Sequence, residues 1–418
     1  MTGPGGRAGP TVAAGPGDGA GPGDEERFRQ EVREFLEATL PRKGAPSRSE
    51  GSGVERARAY QRQLADAGLA GITWPVEYGG RGLPARYQRI FDAEAAAFRL
   101  PPRALEVGLG MCGPTILAHA THEQKLALIP PLLRGEHVWC ELFSEPGAGS
   151  DLAGIQTRAR RDGDVWVVDG QKLWTSGAQH SHFAACLART DVDRPKRDGI
   201  TMLIVDMRSP GITVRPLRQM TGDSHFNEVF LDGVRVPVEH TLGRTNDGWR
   251  VARTMLAFER QALGGMGSGG GGRGGFSAMV DQARARDLAG RADVRQRLAD
   301  QRIRQMVLRH LAGHLAARRS AGQAQGGEAS LLKLAMARLV QDTAEVAVDI
   351  SGMGAVAWSA SDADGGRWSA QLLSAQSASI GGGTNEIVRN VIAERILGLP
   401  RDVETDLDVP FRELGAGT

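Results

Sequence analysis

Glu259 occupies a place where a soluble helix would carry an apolar side chain. The stretch from Asp247 to Leu263 reads as a helix with an apolar stripe at Ala252, Met255, Leu256 and Leu263. Glu259 falls on that stripe, four residues after Met255 and four before Leu263. A carboxylate on a buried face is costly unless it is paired or used. Burial raises its pKa toward the range in which a carboxylate abstracts protons well. A structural ion pair with an arginine of a neighbouring helix is the other reading, and the residues alone leave both open.

A second concentration of chemistry runs from Cys140 to Gly177. Pro146-Gly147 makes a turn into Gly149-Ser150-Asp151, where glycine can take positive φ and let backbone approach a ligand. Ser144 and Ser150 flank that turn with hydroxyl groups. Val165 to Val168 favour a strand between Asp162-Gly163 and Asp169-Gly170. Trp174 then precedes a third hydroxyl cluster, Thr175-Ser176. One β segment thus carries two polar loops and an indole that could lie against a planar ring. Ordinary turn chemistry in a β-sheet would give the same residues.

Other groupings are weaker. His310 and His314 lie four apart on a helix but have no evident third ligand for a metal, and His119 with His122 and His180 with His182 fare no better. Gly147 to Gly149 lacks the third glycine of a dinucleotide fingerprint. Gly264–Gly275 has the glycine content of a phosphate loop without its spacing and reads as a flexible insertion.

The elements that must hold these residues follow from pattern. The chain has 418 residues, enough for two or three packed units. A formal net charge of +2 gives no reason to expect a nucleic-acid partner. Three scattered cysteines, Cys112, Cys140 and Cys186, form no disulfide framework, which fits a reducing, cytoplasmic setting. No run of about 18 apolar residues suggests a membrane span. Residues 1–24 are rich in Gly, Pro and Ala and read as a disordered tail.

Helices are predicted over Glu25–Leu40, Arg56–Ala67, Ile90–Phe98, Thr115–Thr121 and Glu123–Leu133. The period then changes. Asp164–Asp169, Phe183–Arg189, Ile200–Val205, Ile212–Arg215 and Glu228–Val236 read as strands of a small antiparallel barrel or sandwich. Helices return over Asp293–Ala317 and Glu328–Ile350, and a last one starts near Thr384 or Asn385. The expected class is α+β, mostly α: a helical domain at 25–136, a β domain at 137–243, a helical bundle at 244–401 and a tail at 402–418.

SEPGAGSD and DGDVWVVDGQKLWTSG, with WPVEYGGRGLP (Trp74–Pro84), FNEVFLDGVRVP (Phe226–Pro237) and GGGTNEIVRNVIAERILGLP (Gly381–Pro400), closely resemble the acyl-CoA dehydrogenase family. The resemblance spans residues 25–401 and implies the same helical, β, helical order. It also implies FAD, an acyl-CoA or carrier-protein thioester, a homodimer or homotetramer, a place in fatty acid metabolism, and electrons passed to an electron-transfer flavoprotein. Many members carry the catalytic glutamate just before the Gly-Thr of the last motif, which here is Gly382. Another branch, of isovaleryl and long-chain type, carries it on the helix after the β domain, directly before an arginine. Glu259-Arg260 matches that placement.

By motif position, Leu142, Ser144, Trp174, Ser176, Thr384, Asn385 and Glu386 are expected at the flavin. Ser150, Arg260 and Gly383 are expected beside the substrate. Two departures stand out. The family's Arg-x-x-Phe-Gly is missing, which leaves Arg284 and Arg286 as candidates for the pyrophosphate. Its Gln-x-x-Gly-Gly reads Asp349-Ile-Ser-Gly352-Met353. A flavin oxidase or monooxygenase on the same fold, or a non-catalytic subunit of a mixed assembly, are the competing readings.

Overall fold

The computed structural model describes residues 22–44, 51–266, 275–323, 327–359, 366–401, 403 and 406–414. Most of the expected tail, residues 1–21, and most of the glycine-rich stretch, 267–274, lie outside them. In chain order the helices are α1 (Pro22–Thr39), α2 (Gly53–Asp66), α3 (Ala85–Ala95), α4 (Gly113–His119), α5 (His122–Leu133), α6 (Gly248–Met266), α7 (Phe276–Ala285), α8 (Ala292–Ser320), α9 (Glu328–Ser351), α10 (Arg367–Ala375) and α11 (Asn385–Arg395). The strands are β1 (Trp139–Leu142), β2 (Arg158–Asp162), β3 (Val165–Ser176), β4 (Phe183–Arg189), β5 (Ile200–Asp206), β6 (Ile212–Pro216), β7 (Phe226–Pro237) and β8 (Thr241–Leu242). This is the α+β class expected, with the helical, β, helical order.

The chain divides into two compact units. The first combines residues 22–103 with 126–136. Phe28, Val32 and Leu36 of α1 turn inward, spaced as a helical face requires, and Phe28 meets the edge of Tyr87 at 5.1 Å. Ser52 caps α2 through a capping box with Glu55, a signal the sequence reading passed over.

The second unit holds residues 104–125 and 137–414. Its β layer is one hydrogen-bonded sheet in the order β6-β7-β3-β2-β4-β5-β8, with β1 also on β4. Most ladders are antiparallel, but β1 and β2 both run parallel to β4. β5 takes the whole of one edge of β4, so β1 and β2 share the other. The chain between them, 143–157, is therefore expelled from the sheet as a loop. Cys140, Leu142, Val168, Cys186, Leu203 and Val229 are among the side chains that fill the sheet's core. Met279, Val294, Leu298, Val346, Ile350 and Trp368 build a separate core among the C-terminal helices.

The residues after the last helix are not a loose tail throughout. Phe411 N–H donates to Arg194 O at 2.9 Å and Arg412 N–H to Val192 O at 3.0 Å. The Phe411 ring lies 3.7 Å from the Arg189 guanidinium carbon. Lys196 Nζ bridges Asp406 at 3.0 Å and Asp151 at 3.3 Å.

Candidate active site

Glu259 stands on α6, whose inner face buries Val251, Ala252 and Met255 completely. Glu259 itself is partly buried. Burial pushes its pKa above the ordinary carboxylate range, while Arg260, a hydrogen bond from the Gly382 backbone N–H and Lys333 pull the other way. The competing structural role would need a close ion pair, and among the described residues Glu259 has none. Arg260 is half-buried, and burial lowers its pKa despite the neighbouring Glu259.

Gly382 ends the turn that leads into α11. Its φ of +68° and the +97° of Gly383 belong to the left-handed region that favours glycine. Thr384 then caps α11, its Oγ1 accepting the Ile387 N–H at 3.3 Å. Asn385 receives Lys333 Nζ at 3.3 Å on Oδ1 and donates to Ser379 Oγ at 2.9 Å. Glu386 pairs with Arg389 at 3.2 Å. Lys333 is fully buried on α9, and burial lowers its pKa while Glu259 and Glu386 support its charge. It ties the turn before α11 to the field of Glu259, and the sequence reading missed it.

The expelled loop is anchored by a buried ion pair. Lys172 Nζ sits 2.8 Å from Glu145 Oε1 and 3.0 Å from Phe143 O. The Glu145 carboxylate also accepts the Gln156 N–H at 2.6 Å and the Thr157 N–H at 3.0 Å. Burial works to raise the Glu145 pKa, but Lys172 and these donors outweigh it and hold it below the usual range. Ser144 accepts the Leu173 N–H at 2.8 Å through its carbonyl, which binds the loop to β3. Leu142 is fully buried in the sheet core, backbone included, and presents no open surface of its own. Ser150 is exposed.

One expectation fails here. Gly147 and Gly149 do not take positive φ, and no backbone crowds them: a Cβ at either would meet open space. The loop's small residues leave its outer surface low and unobstructed rather than enabling a strained turn.

Trp174 is the opposite case. It lies at an irregularity in the β3–β7 register between Lys172 and Thr175, has φ +62° and is 57 % exposed. A bulky residue in this region is strained by about 1–3 kcal/mol and persists only where its surroundings enforce it. The bulge turns the indole off the sheet, where it meets Phe226 edge-on at 5.9 Å. Ser176, two residues on, pairs with Phe226 in the β3–β7 ladder.

Arg286, at the C-terminal end of α7, has its guanidinium against the Gly352–Gly354 turn. A Cβ at either glycine would stand 3.5 Å from it. Arg284 instead stays near Asp281 on the same helix. Asp349 is exposed and bonded to Arg297. His310 and His314 are exposed, and no group of three or more metal-ligating side chains occurs among the described residues. No helix there is long and apolar enough to cross a membrane.

The chain is thus a helical, β, helical protein whose partly buried carboxylate on α6 shares its electrostatic surroundings with the turn before the capped helix α11. The chain matches the family models "Acyl-CoA dehydrogenase, N-terminal domain" over residues 22–136, "middle domain" over 140–234 and "C-terminal domain" over 246–397. It is 36% identical over 405 residues to acyl-CoA dehydrogenase IpdE1 of Mycolicibacterium smegmatis, covering 91% of this chain and 99% of that one. It is 43% identical over 347 residues to acyl-CoA dehydrogenase FadE34 of Mycobacterium tuberculosis, covering 82% of this chain but 46% of FadE34. Among solved structures it resembles the Tcur3481-Tcur3483 steroid ACAD, with TM-score 0.76 and 30% identity over 92% of this chain and 99% of that one. It also resembles the ChsE4-ChsE5 complex from Mycobacterium tuberculosis, with TM-score 0.72 and 29% identity over 92% and 99%. The chain belongs to the acyl-CoA dehydrogenase family and is an oxidoreductase of that type.

Glu141 is the acid that sequence reasoning missed. It lies between two fully buried residues of β1, Cys140 and Leu142, and burial together with the charge of Glu259 drives its pKa well up. Strand alternation was the available signal: with its neighbours turned inward, its side chain leaves by the other face.

Proposed function

We propose that this chain oxidises the α,β bond of an acyl-CoA thioester to a trans-2-enoyl thioester, with Glu259 as the base and FAD as the bound cofactor. The single observation that carries this is the environment of Glu259: a partly buried carboxylate, without an ion pair among the described residues, whose charged form is favoured by the Gly382 backbone N–H.

Glu259 removes the proton α to the thioester carbonyl. Its raised pKa brings it closer in strength to that weak acid, and the Gly382 N–H keeps it aimed. The abstraction is feasible once donors polarise the carbonyl, because charge builds there as the C–H bond breaks. The residues present suit a flavin. Trp174 offers an exposed indole face one residue after Leu173, whose N–H is bonded to Ser144 O, and the Gly147 and Gly149 positions of that loop leave open space where a Cβ would meet nothing. Ser144, Ser176 and, by motif position, Leu142 are assigned to the same flavin, and the capped start of α11 at Thr384, Asn385 and Glu386 suits polar or anionic groups. Arg286 over Gly352–Gly354 is the residue we assign to the pyrophosphate. Ser150, Arg260 and Gly383 are assigned to the substrate side. When bound, the flavin supplies the acceptor for hydride from the β carbon, and an electron-transfer flavoprotein would then receive the electrons.

Anaerobic addition of a panel of acyl-CoAs to the flavin-loaded protein tests this. The Glu259→Gln variant should keep bound flavin and lose substrate-dependent bleaching. Bleaching at the wild-type rate in that variant would refute the base assignment.

A second reading extends the first: the chain works as one half of a two-component assembly on a steroid-bearing thioester. Its similarity to two solved pairs supports this, one of them named a steroid ACAD. So do apolar side chains left on the surface of α8 and of the turn after α9, with Ile303, Val307, Met353 and Val356 all more than half exposed. Measured mass and flavin content of the purified chain decide it. A flavin-loaded homo-oligomer active on straight-chain acyl-CoAs would reject this extension and leave the first reading standing.

A further inference from the structure

The loop 143–157, which carries Ser150, is held in two different ways. The buried Lys172–Glu145 pair fixes its two ends, near Glu145 and at Gln156 and Thr157. The middle, Asp151 to Ile155, is held from outside the loop. Arg189, buried at the end of β4, donates from one guanidinium nitrogen to Ala153 O at 2.6 Å and Ile155 O at 3.4 Å. Its other terminal nitrogen donates to Lys196 O at 2.6 Å. Lys196, in the connection between β4 and β5, reaches the Asp151 carboxylate at 3.3 Å, one residue from Ser150.

Both cations are completed by the chain beyond α11. The Phe411 ring lies 3.7 Å from the Arg189 guanidinium carbon, and Asp406 takes the second bond of Lys196 at 3.0 Å. Pro410 pairs with Pro195 in an antiparallel bridge. The Phe411 and Arg412 N–H groups are bonded to Arg194 O and Val192 O, and Arg412 pairs with Asp193 at 2.8 Å. Residues 406–414 thus run along the β4–β5 connection, bound by backbone, ring and ion pairs.

We propose that residues 406–414 form a strap that positions the loop carrying Ser150 for the thioester substrate, with Arg189 and Lys196 as the positioning residues that transmit its hold. This rests on Ser150 lying on the substrate side. Ser150 is exposed, and a Cβ at Gly147 or Gly149 would meet nothing, so the outer surface of the loop has no packing of its own to fix it. The Arg189 bonds do that from behind. Burial lowers the Arg189 pKa to about 10, and its partners in the loop are carbonyls, not carboxylates. The Phe411 ring supports that charge and keeps water from the donors. With the ring gone, water competes for the N–H groups that hold Ala153 and Ile155. The effect should fall on substrate placement, because the groups acting on the Glu259 charge are Arg260, Gly382 and Lys333.

Hydrogen exchange and steady-state kinetics on the flavin-loaded full chain test this. Asp406→Asn/Phe411→Ala unfastens the strap, and Lys196→Met cuts its link to Asp151. In both, the Gly154 and Ile155 amides, bonded to Asp151 O and Leu152 O, should exchange faster, while those of Gln156 and Thr157 stay slow. The KM for acyl-CoA should rise about three- to tenfold, the range that losing one such ion pair and ring contact supports. The kcat and the acid limb of its pH profile should stay at wild-type values. Lys196→Arg keeps the charge and should behave as the wild type. Flavin content and slow exchange in β4 check folding, and Asp406→Asn alone is the milder variant. A lower melting temperature with loop exchange and KM unchanged makes the segment a structural anchor only and overturns the strap. Faster loop exchange with unchanged KM overturns it at Ser150. Failure of every acyl-CoA to bleach the wild-type flavin would sink the proposed function instead. Loop exchange needs no substrate and still reports on the strap, so the two failures are distinguishable.

Discussion

The backbone N–H of Gly382 lies where it favours the charged form of the Glu259 carboxylate. Glu259 lies on α6 and Gly382 in the turn before α11. These are the two positions at which the family resemblance allows a base, and they face one another. This chain fills one with a carboxylate. The other is a glycine whose φ of +68° turns its N–H toward that carboxylate.

The first prediction concerns pH. Glu259 must be ionised to accept a proton, so activity rises as pH passes its pKa, which burial sets above the ordinary value of about 4.3. Gly382→Ala forces a side chain into left-handed backbone, at a cost of about 1–2 kcal/mol, and disturbs a bond to the charged form. A charge-assisted bond is worth about 1.5–3 kcal/mol, so the acid limb of kcat/KM should move up by about one pH unit. Lys333→Met removes a cation from the same field and should move it in the same direction. A limb that moves down in both variants would contradict the assignment.

Trp174→Gly should separate stability from flavin binding. Glycine relieves about 1–3 kcal/mol of φ strain at a backbone entropy cost of about 0.5–1 kcal/mol. The flavin-free variant should melt at the wild-type temperature or above. Stacking on an exposed indole is worth about 1–3 kcal/mol, so flavin affinity should fall roughly tenfold. Fluorescence titration and calorimetry read the two effects independently.

Lys172→Met should be among the most destabilising substitutions in the β layer. It leaves Glu145 buried without its cation, which costs about 3–5 kcal/mol. The wild-type pair also has a pH signature. The folded-state pKa of Glu145 is depressed, so its contribution is complete above the unfolded value of about 4.3 and is lost as pH falls through the folded value. Denaturant midpoints should show a smaller acid-side loss of stability in Lys172→Met than in the wild type.

Phe411→Ala should loosen the end of the chain. It removes a ring 3.7 Å from the Arg189 guanidinium, a contact worth about 0.5–2 kcal/mol. Hydrogen exchange at Phe411 and Arg412, whose N–H groups are bonded to Arg194 and Val192, should accelerate, while exchange in the core of β4 stays slow.

Much of this chain can be read from its residues because local signals agree with the fold. The 3.6-residue spacing of Phe28, Val32 and Leu36 marks α1, and the strand Phe183–Arg189 is found at its predicted bounds. Glu259 is noticeable for breaking the stripe that makes its helix amphipathic. Other features left weaker marks. β1 and β2 are short, and β2 is almost wholly polar, so no hydrophobic run announces them. Trp174 is simply an aromatic in a strand until a bulge gives it positive φ.

The sequence by itself determined the family, the order of helical and β segments and the oddity of one acid on an apolar face, because periodicity and long motifs are local in the chain. Only the tertiary structure decided what surrounds that acid. Gly382, Lys333 and Glu141 come from three separate elements and share one electrostatic environment with Glu259. Charge and desolvation depend on distance through space, which no spacing along the chain encodes.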